Sequence, residues 1–141
     1  MNDAWVLSKK TDKEVFVRHS TLDVDCDLVS LEWSPDGNFL ALGFSNGTIG
    51  LVKGRTLRRI SLFQGWHTAT VNSISWSSTS KHICSCSDDG TVRIWDINTM
   101  KQVAIDYLPD SSHLISCLSW SPTGNIIAMG GLDHRFVHPA R

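Results

Sequence analysis

Three tryptophans, Trp33, Trp76 and Trp120, stand 43 and 44 residues apart. A self-similar period of this size marks a repeat architecture, and it constrains the fold more than any other feature of the chain. Each tryptophan closes a similar segment: Leu28 to Ser34, Val71 to Ser77 and Ile115 to Ser121. Apolar and small polar residues alternate, or nearly so, in all three, which predicts a strand. A turn follows. Ser34-Pro35-Asp36-Gly37 and Ser121-Pro122-Thr123-Gly124 put Pro second and Gly fourth, as a tight turn favours. The middle copy, Ser77-Ser78-Thr79-Ser80, keeps only hydroxyls.

A second strand is expected at 39–44, 82–87 and 126–131. Its small slots are Ala41/Gly43, Cys84/Cys86 and Ala128/Gly130. Asn46-Gly47 and Asp89-Gly90 are strong hairpin signals, since both turn residues tolerate positive φ. A third strand is expected at 48–52 and 91–95, and a fourth at 55–63 and 100–107. Four short strands per repeat, with tight turns and no helical periodicity, describe one blade of a β-propeller. The expected fold class is therefore all-β, built of antiparallel four-stranded blades. At this period, 141 residues cover about three blades, whereas closed propellers take ~4–8. The expectation is an incomplete or open ring, the composition being that of a fragment of a larger scaffold.

The middle copy is the most specific. It contains Trp66-His67, Trp76-Ser77 and the run Ser85-Cys86-Ser87-Asp88-Asp89-Gly90-Thr91-Val92-Arg93-Ile94-Trp95-Asp96. This resembles a WD-repeat β-propeller, with Trp95-Asp96 as the dipeptide that names the family and Trp66-His67 where that family usually has Gly-His. The resemblance implies a structural tetrad of His67, Ser85, Asp89 and Trp95, hydrogen-bonded inside the blade. A serine-hydrolase triad of Ser85, His67 and Asp89 uses the same residue types. Ser85 falls in mid-strand, however, and no G-x-S-x-G elbow surrounds it, so no catalytic residue is assigned.

The other copies depart from the pattern. The four slots read Val24, Leu42, Asn46 and Val52 in the first, and Ser111, Met129, Asp133 and Pro139 in the third. Pro139 would be tolerated only at a sheet edge or strand end, and the blade pattern fades beyond Asp133. Near the N-terminus, Ser8 and Asp12 fall at the spacing of Ser85 and Asp89. The expected organisation is a partial degenerate blade or an N-terminal extension over 1–23, a degenerate repeat over 24–66, a repeat with a complete tetrad over 67–110, and a partial repeat over 111–141. Among propellers, the first copy resembles activators of the anaphase-promoting complex, without a degron-binding feature or terminal docking motif.

Net charge is -1, so no overall basic field draws the chain to nucleic acid or to an anionic membrane. No run approaches the 18 apolar residues of a membrane span. The first residues lack the layout of a secretory signal, and the cytoplasm or nucleus is the expected location. Cys84 and Cys86 lack a second close pair for zinc and read as packing residues. His134 and His138 read as ordinary terminal residues. Neither metal nor cofactor is expected.

The resemblance implies a non-enzymatic scaffold or adaptor that binds proteins or peptides within a larger complex. The possible interaction surface comprises Lys53, Arg55, Arg58, Arg59 and Trp66. The basic segment 53–59 is either a contact for phosphate, acidic peptide or RNA, or a solvated outer strand whose charges discourage edge pairing. No aromatic is interleaved to stack on bases. Trp66 is either an exposed anchor or folds back onto Phe63. Two further readings are a nucleic-acid-associated propeller using 53–59, and a shortened product with little function of its own. Exposed inner strands would call for blades from another chain or for self-association.

Overall fold

The computed structural model describes residues 3–10, 13–20, 26–56, 58–64, 66–107, 115–131 and 135–139, with side chains described from 26 to 131. The described residues form thirteen strands and no helix: β1 (Asp3–Lys10), β2 (Lys13–Ser20), β3 (Leu28–Trp33), β4 (Phe39–Phe44), β5 (Ile49–Lys53), β6 (Arg59–Phe63), β7 (Val71–Trp76), β8 (His82–Ser87), β9 (Thr91–Asp96), β10 (Lys101–Tyr107), β11 (Ile115–Trp120), β12 (Ile126–Gly131) and β13 (Arg135–Pro139). They assemble into sheets ordered β1-β2, β3-β4-β5-β6, β7-β8-β9-β10 and β11-β12-β13, every pair antiparallel. The period thus becomes a series of blades, not closed into a ring among the described residues.

The repeat extends to details of backbone geometry. Each inner strand carries a register shift at its second residue, between Leu28 and Ser30, Val71 and Ser73, and Ile115 and Cys117. Each Trp is followed by a serine that closes the next turn. Ser34, Ser77 and Ser121 donate their backbone N–H to the carbonyls of Phe39, His82 and Ile126 at 2.9, 2.9 and 2.8 Å. Their hydroxyls accept the N–H of the same three residues at 2.9, 3.1 and 3.1 Å. Gly37 and Gly124 take positive φ in this turn, and in the middle copy Ser80 does so, at φ 59°. The hydroxyl of Ser80 accepts the N–H of Asp36 at 3.2 Å, which ties the turns of adjacent sheets.

The core lies between the sheets. Ala41, Ile49, Leu51 and Phe63 of the first four-stranded sheet meet Val71, Ile74, Trp76, Ile83, Trp95 and Ile97 of the second. Cys84, Cys86 and Val92 of the second meet Ile115, Leu118, Ile127 and Met129 of the third sheet. A third cluster, Leu40, Leu42, Phe44 and Val52, lies on the far face of the first sheet. Burying one such large side chain is worth about 1.5–3 kcal/mol, so these clusters hold the sheets in series.

The small slots of the second strand have a steric cause. A Cβ on Gly43 would run into Ser30 Oγ and lie 2.9 Å from Val71 Cγ1 of the next sheet; one on Gly130 would lie 3.1 Å from Cys117 Sγ. Ser30 Oγ donates to the Val71 carbonyl at 3.1 Å. In the middle sheet Cys86 fills the slot, and its Sγ lies 3.7 Å from the Ile115 carbonyl. Burial pushes the Cys86 thiol up to about 12 and the Cys84 thiol higher still, so both stay protonated.

Three local expectations are revised. The fourth strand of the first sheet begins at Arg59, not at 55. Gly54 to Thr56 turn instead, with Lys53 N–H bonded to the Arg58 carbonyl at 2.9 Å and Arg58 N–H to Thr56 Oγ1 at 3.4 Å. Past Asp133, where the sequence pattern fades, β13 still pairs with β12. Backbone hydrogen bonds do not need the family's side chains, and Pro139 sits opposite Ile126 at the strand end. At the N-terminus β1 and β2 form a hairpin pairing Lys10 with Lys13. That register is one residue shorter than the repeat spacing of Ser8 and Asp12 implies. Asp12, Val24, Ser111, Asp133 and His134 lie outside the described residues.

Replacing Gly43 with Ala is expected to destabilise the chain by about 1–3 kcal/mol in urea denaturation, because the sheets cannot part to admit a methyl group. Adding Ser30→Gly should return part of that loss, since it removes one of the two colliding groups.

Candidate functional site

The second sheet brings His67, Ser85, Asp89 and Trp95 together. Ser85 and Trp95 come from mid-β8 and late β9, Asp89 from the turn between those strands, and His67 from the connection ahead of β7. Trp95 can only donate through its indole N–H, and it does so to Ser85 Oγ at 2.9 Å. The Ser85 hydroxyl proton is therefore directed to His67 Nε2, 2.7 Å away. This leaves the imidazole proton on Nδ1, which faces Asp89 Oδ2 at 2.9 Å. One chain of donors runs from indole to carboxylate.

Thr91 is a fifth member that sequence reasoning missed. Its hydroxyl donates to Asp89 Oδ1 at 2.6 Å and lies 3.1 Å from His67 Nδ1. The N–H groups of Thr91 and Thr68 also reach Asp89, at 2.9 and 3.1 Å. Arg93 extends the network outward, donating to Thr91 Oγ1 at 3.2 Å and to Gln102 Oε1 on β10 at 2.6 Å. The available signal was a Thr two residues beyond an Asp in a hairpin turn. Thr48 N–H bonds to Asn46 Oδ1 in the same way at 3.0 Å, without a tetrad above it.

Burial opposes a charge on His67 and holds its pKa below the ordinary value of 6.5, although Asp89 pulls the other way. Burial also opposes the charge on Asp89, yet the hydrogen bonds from Thr91 and His67 outweigh it and hold that carboxyl below its ordinary 3.8. The pair is thus a neutral imidazole donating to a carboxylate. The arrangement does not suit acyl transfer. Ser85 is fully buried, and its oxygen already accepts the indole proton. Phe63 packs on Trp95 at 4.9 Å and Trp66 meets it edge-on at 5.8 Å.

The corresponding positions of the first sheet are apolar. Leu42 and Val52 stand where Ser85 and Trp95 do, and both are buried in the cluster with Leu40 and Phe44. Met129 holds the serine position in the third sheet and is buried against the second.

The remaining candidate residues are not gathered in one place. Trp66 is exposed, and its ring meets Trp95, on which Phe63 also packs, edge-on. It lies at the end of the sheets where Thr70 Oγ1 donates to the Ser45 carbonyl at 3.2 Å. Lys53, Arg55, Arg58 and Arg59 are exposed around the turn at the opposite end, where Gly54 N–H meets the Asn38 carbonyl at 2.7 Å.

Two outcomes follow from this network. Ser85→Ala leaves a buried indole N–H and an imidazole nitrogen unpaired, and should cost about 2–3 kcal/mol in chemical denaturation. Acidification should also destabilise the fold. Below about 6.5 the unfolded chain protonates at position 67 while the folded chain resists, so stability falls as pH drops and this group adds no slope above. The denaturation midpoint should therefore drop between about pH 7.5 and 5.5, and by less in His67→Gln.

Comparison with known proteins agrees with this geometry. The sequence matches the family "WD domain, G-beta repeat" over residues 58–96 and 101–137. It also matches "Anaphase-promoting complex subunit 4 WD40 domain" over residues 4–68. "Cell division cycle 20.1, cofactor of APC complex" of Arabidopsis thaliana is 27% identical over 108 residues, covering 76% of this chain and 23% of that protein. "Guanine nucleotide-binding protein subunit beta" of Lymnaea stagnalis is 31% identical over 86 residues, covering 61% of this chain and 24% of that protein. The chain spans less than a quarter of the length of these curated relatives. A chain of the solved "Crystal Structure of Mitotic Checkpoint Complex" superposes with a TM-score of 0.82 at 24% identity, covering 98% of this chain and 41% of that one. By its matched repeats and its blades, the chain belongs to the WD-repeat β-propeller family.

Proposed function

We propose that this chain is a non-enzymatic interaction module that holds other proteins together within a larger assembly. The observation that carries the reading is where polar chemistry lies. The Ser85–His67–Asp89 constellation is buried together with Trp95, its polar atoms paired with one another inside the blade, which suits bracing rather than catalysis. What faces solvent is recognition chemistry. Trp66 is an exposed aromatic supported from below by Trp95, and a supported aromatic loses little freedom on binding. The related proteins support the same reading, since their names describe a cofactor of one complex and a subunit of another. Trp66 is the contact residue of this reading. The basic turn serves as a solvated edge that discourages strand pairing.

Affinity purification of the chain from cells, with the wild type and Trp66→Ala side by side, tests this. Specific protein partners should be recovered with the wild type and reduced about tenfold or more with the variant, which should keep a cooperative melt. Recovery of no protein partner, or labelling of Ser85 by a fluorophosphonate probe, would overturn it.

A further inference from the structure

Successive large sheets are joined at their inner strands. β7 packs along β3 and β4, and β11 along β7 and β8, while no comparable contact links the outer strands β6 and β10. Toward those outer strands the first two large sheets therefore leave a cleft, floored by Phe63 against Trp95, both buried. Trp66 lies beside that floor, edge-on to Trp95 and 45% exposed. Register fixes the wall on the side of the middle sheet. Paired residues of neighbouring strands share a face, as do residues two apart. Ile105 lies opposite Arg93 and Tyr107 opposite Thr91, so all four share the face of Trp95, and Tyr107 is 69% exposed. The described strands form this junction entirely.

Arg93 is the unusual member of the wall. It is partly buried, and its guanidinium is held by two neutral groups: Nε donates to Thr91 Oγ1 at 3.2 Å and Nη1 to Gln102 Oε1 at 2.6 Å. Among the described residues no carboxylate pairs with it. Asp89, the acid behind Thr91, is already engaged. Its Oδ1 accepts the N–H and the hydroxyl of Thr91, and its Oδ2 accepts from His67 and from the Thr68 N–H. A partly desolvated guanidinium gains most from a carboxylate, which its planar fork can meet with two hydrogen bonds. Fixing the fork beforehand removes part of the entropy that an ordinary surface ion pair costs. The same network ties Arg93 to Trp66, since Thr91 Oγ1 lies 3.1 Å from Nδ1 of His67, the next residue after Trp66.

We infer that this cleft binds an extended segment of a partner protein that sets an Asp or Glu carboxylate on Arg93 and a large apolar side chain against Trp66. The inference rests on the reading above that Trp66 is a contact residue, and it adds what the partner carries. The unpaired guanidinium calls for an acid. The exposed rings of Trp66 and Tyr107 call for an apolar neighbour beside that acid. A single carboxylate fits better than a polyanion, because Asp27 and Asp88 are exposed at the same end of the sheets and repel a phosphate-rich chain.

Phage-displayed random peptides of about 12 residues, panned against the 141-residue chain, provide the probe. Enriched sequences should carry Asp or Glu within about three residues of a Trp, Phe, Tyr or Leu. In fluorescence polarisation, changing that acid to its amide should weaken binding to the wild type by about tenfold or more. On Arg93→Gln the same change should cost less than about twofold, since groups that touch are coupled in a double-mutant cycle. Trp66→Ala should weaken the acid and amide peptides alike. No enriched peptide, enrichment without an acid, or an equal loss on wild type and Arg93→Gln would overturn the inference. If binding in those cases still depends on Trp66, in peptides or in the affinity purification above, the contact role of Trp66 stands without it. Should Arg93→Gln fail to melt cooperatively, a benzophenone photocrosslinker at exposed position 107 replaces it. The acidic peptide is expected to crosslink there and its amide form far less; no crosslink, or equal crosslinking of both, would overturn the inference.

Discussion

Every large sheet in this molecule depends on a neighbour to cover one of its faces. A four-stranded antiparallel sheet with apolar residues on both sides cannot be stable alone in water. Here the solution is directional: the inner strand offers Ile74 and Trp76, or Leu118 and Trp120, and the preceding sheet answers with small residues and a flat ring. The small residues are required because the inner strands approach so closely that Gly43 has no room for a methyl group. The tryptophan period, the Ala/Gly/Cys slots and the serial order of the sheets are three expressions of that contact.

The interior of a blade is under looser control than its faces. The middle sheet satisfies its interior with a neutral histidine, a carboxylate and two hydroxyls. The first sheet fills the equivalent serine and tryptophan positions with Leu42 and Val52. Both solutions leave no buried group unsatisfied at those positions, one by pairing polar atoms and the other by having none. A chain can therefore lose its tetrad in one repeat and keep the blade, provided the faces still fit.

Much of the fold was legible because period-2 alternation and turn chemistry are local. The strands at 39–44 and 126–131 lie where the Pro-Gly turns put them, and 82–87 follows the hydroxyl-only turn of the middle copy. The four tetrad residues were found through the resemblance and meet in space. What escaped was non-local or carried by the backbone. Nothing near Ser80 in the sequence reports that its hydroxyl reaches Asp36 across a sheet boundary. Thr91 looked like an ordinary strand residue because its role depends on His67, 24 positions away. The pairing of β13 was invisible because backbone hydrogen bonds leave no side-chain signature. The separation of Trp66 from the basic turn follows from strand direction, which residue proximity along the chain conceals.

The placement of the tetrad has one further consequence. It sits in the sheet with large sheets on both sides, and Arg93 carries its network to the outer strand of that same sheet. In a linear array the resistance of a unit to opening is its own stability plus that of its two boundaries. The middle sheet has a packed boundary on each face and the hydrogen-bonded tetrad within it. Opening that sheet means breaking both boundaries and its own interior network, so its amides should exchange among the slower ones of the chain.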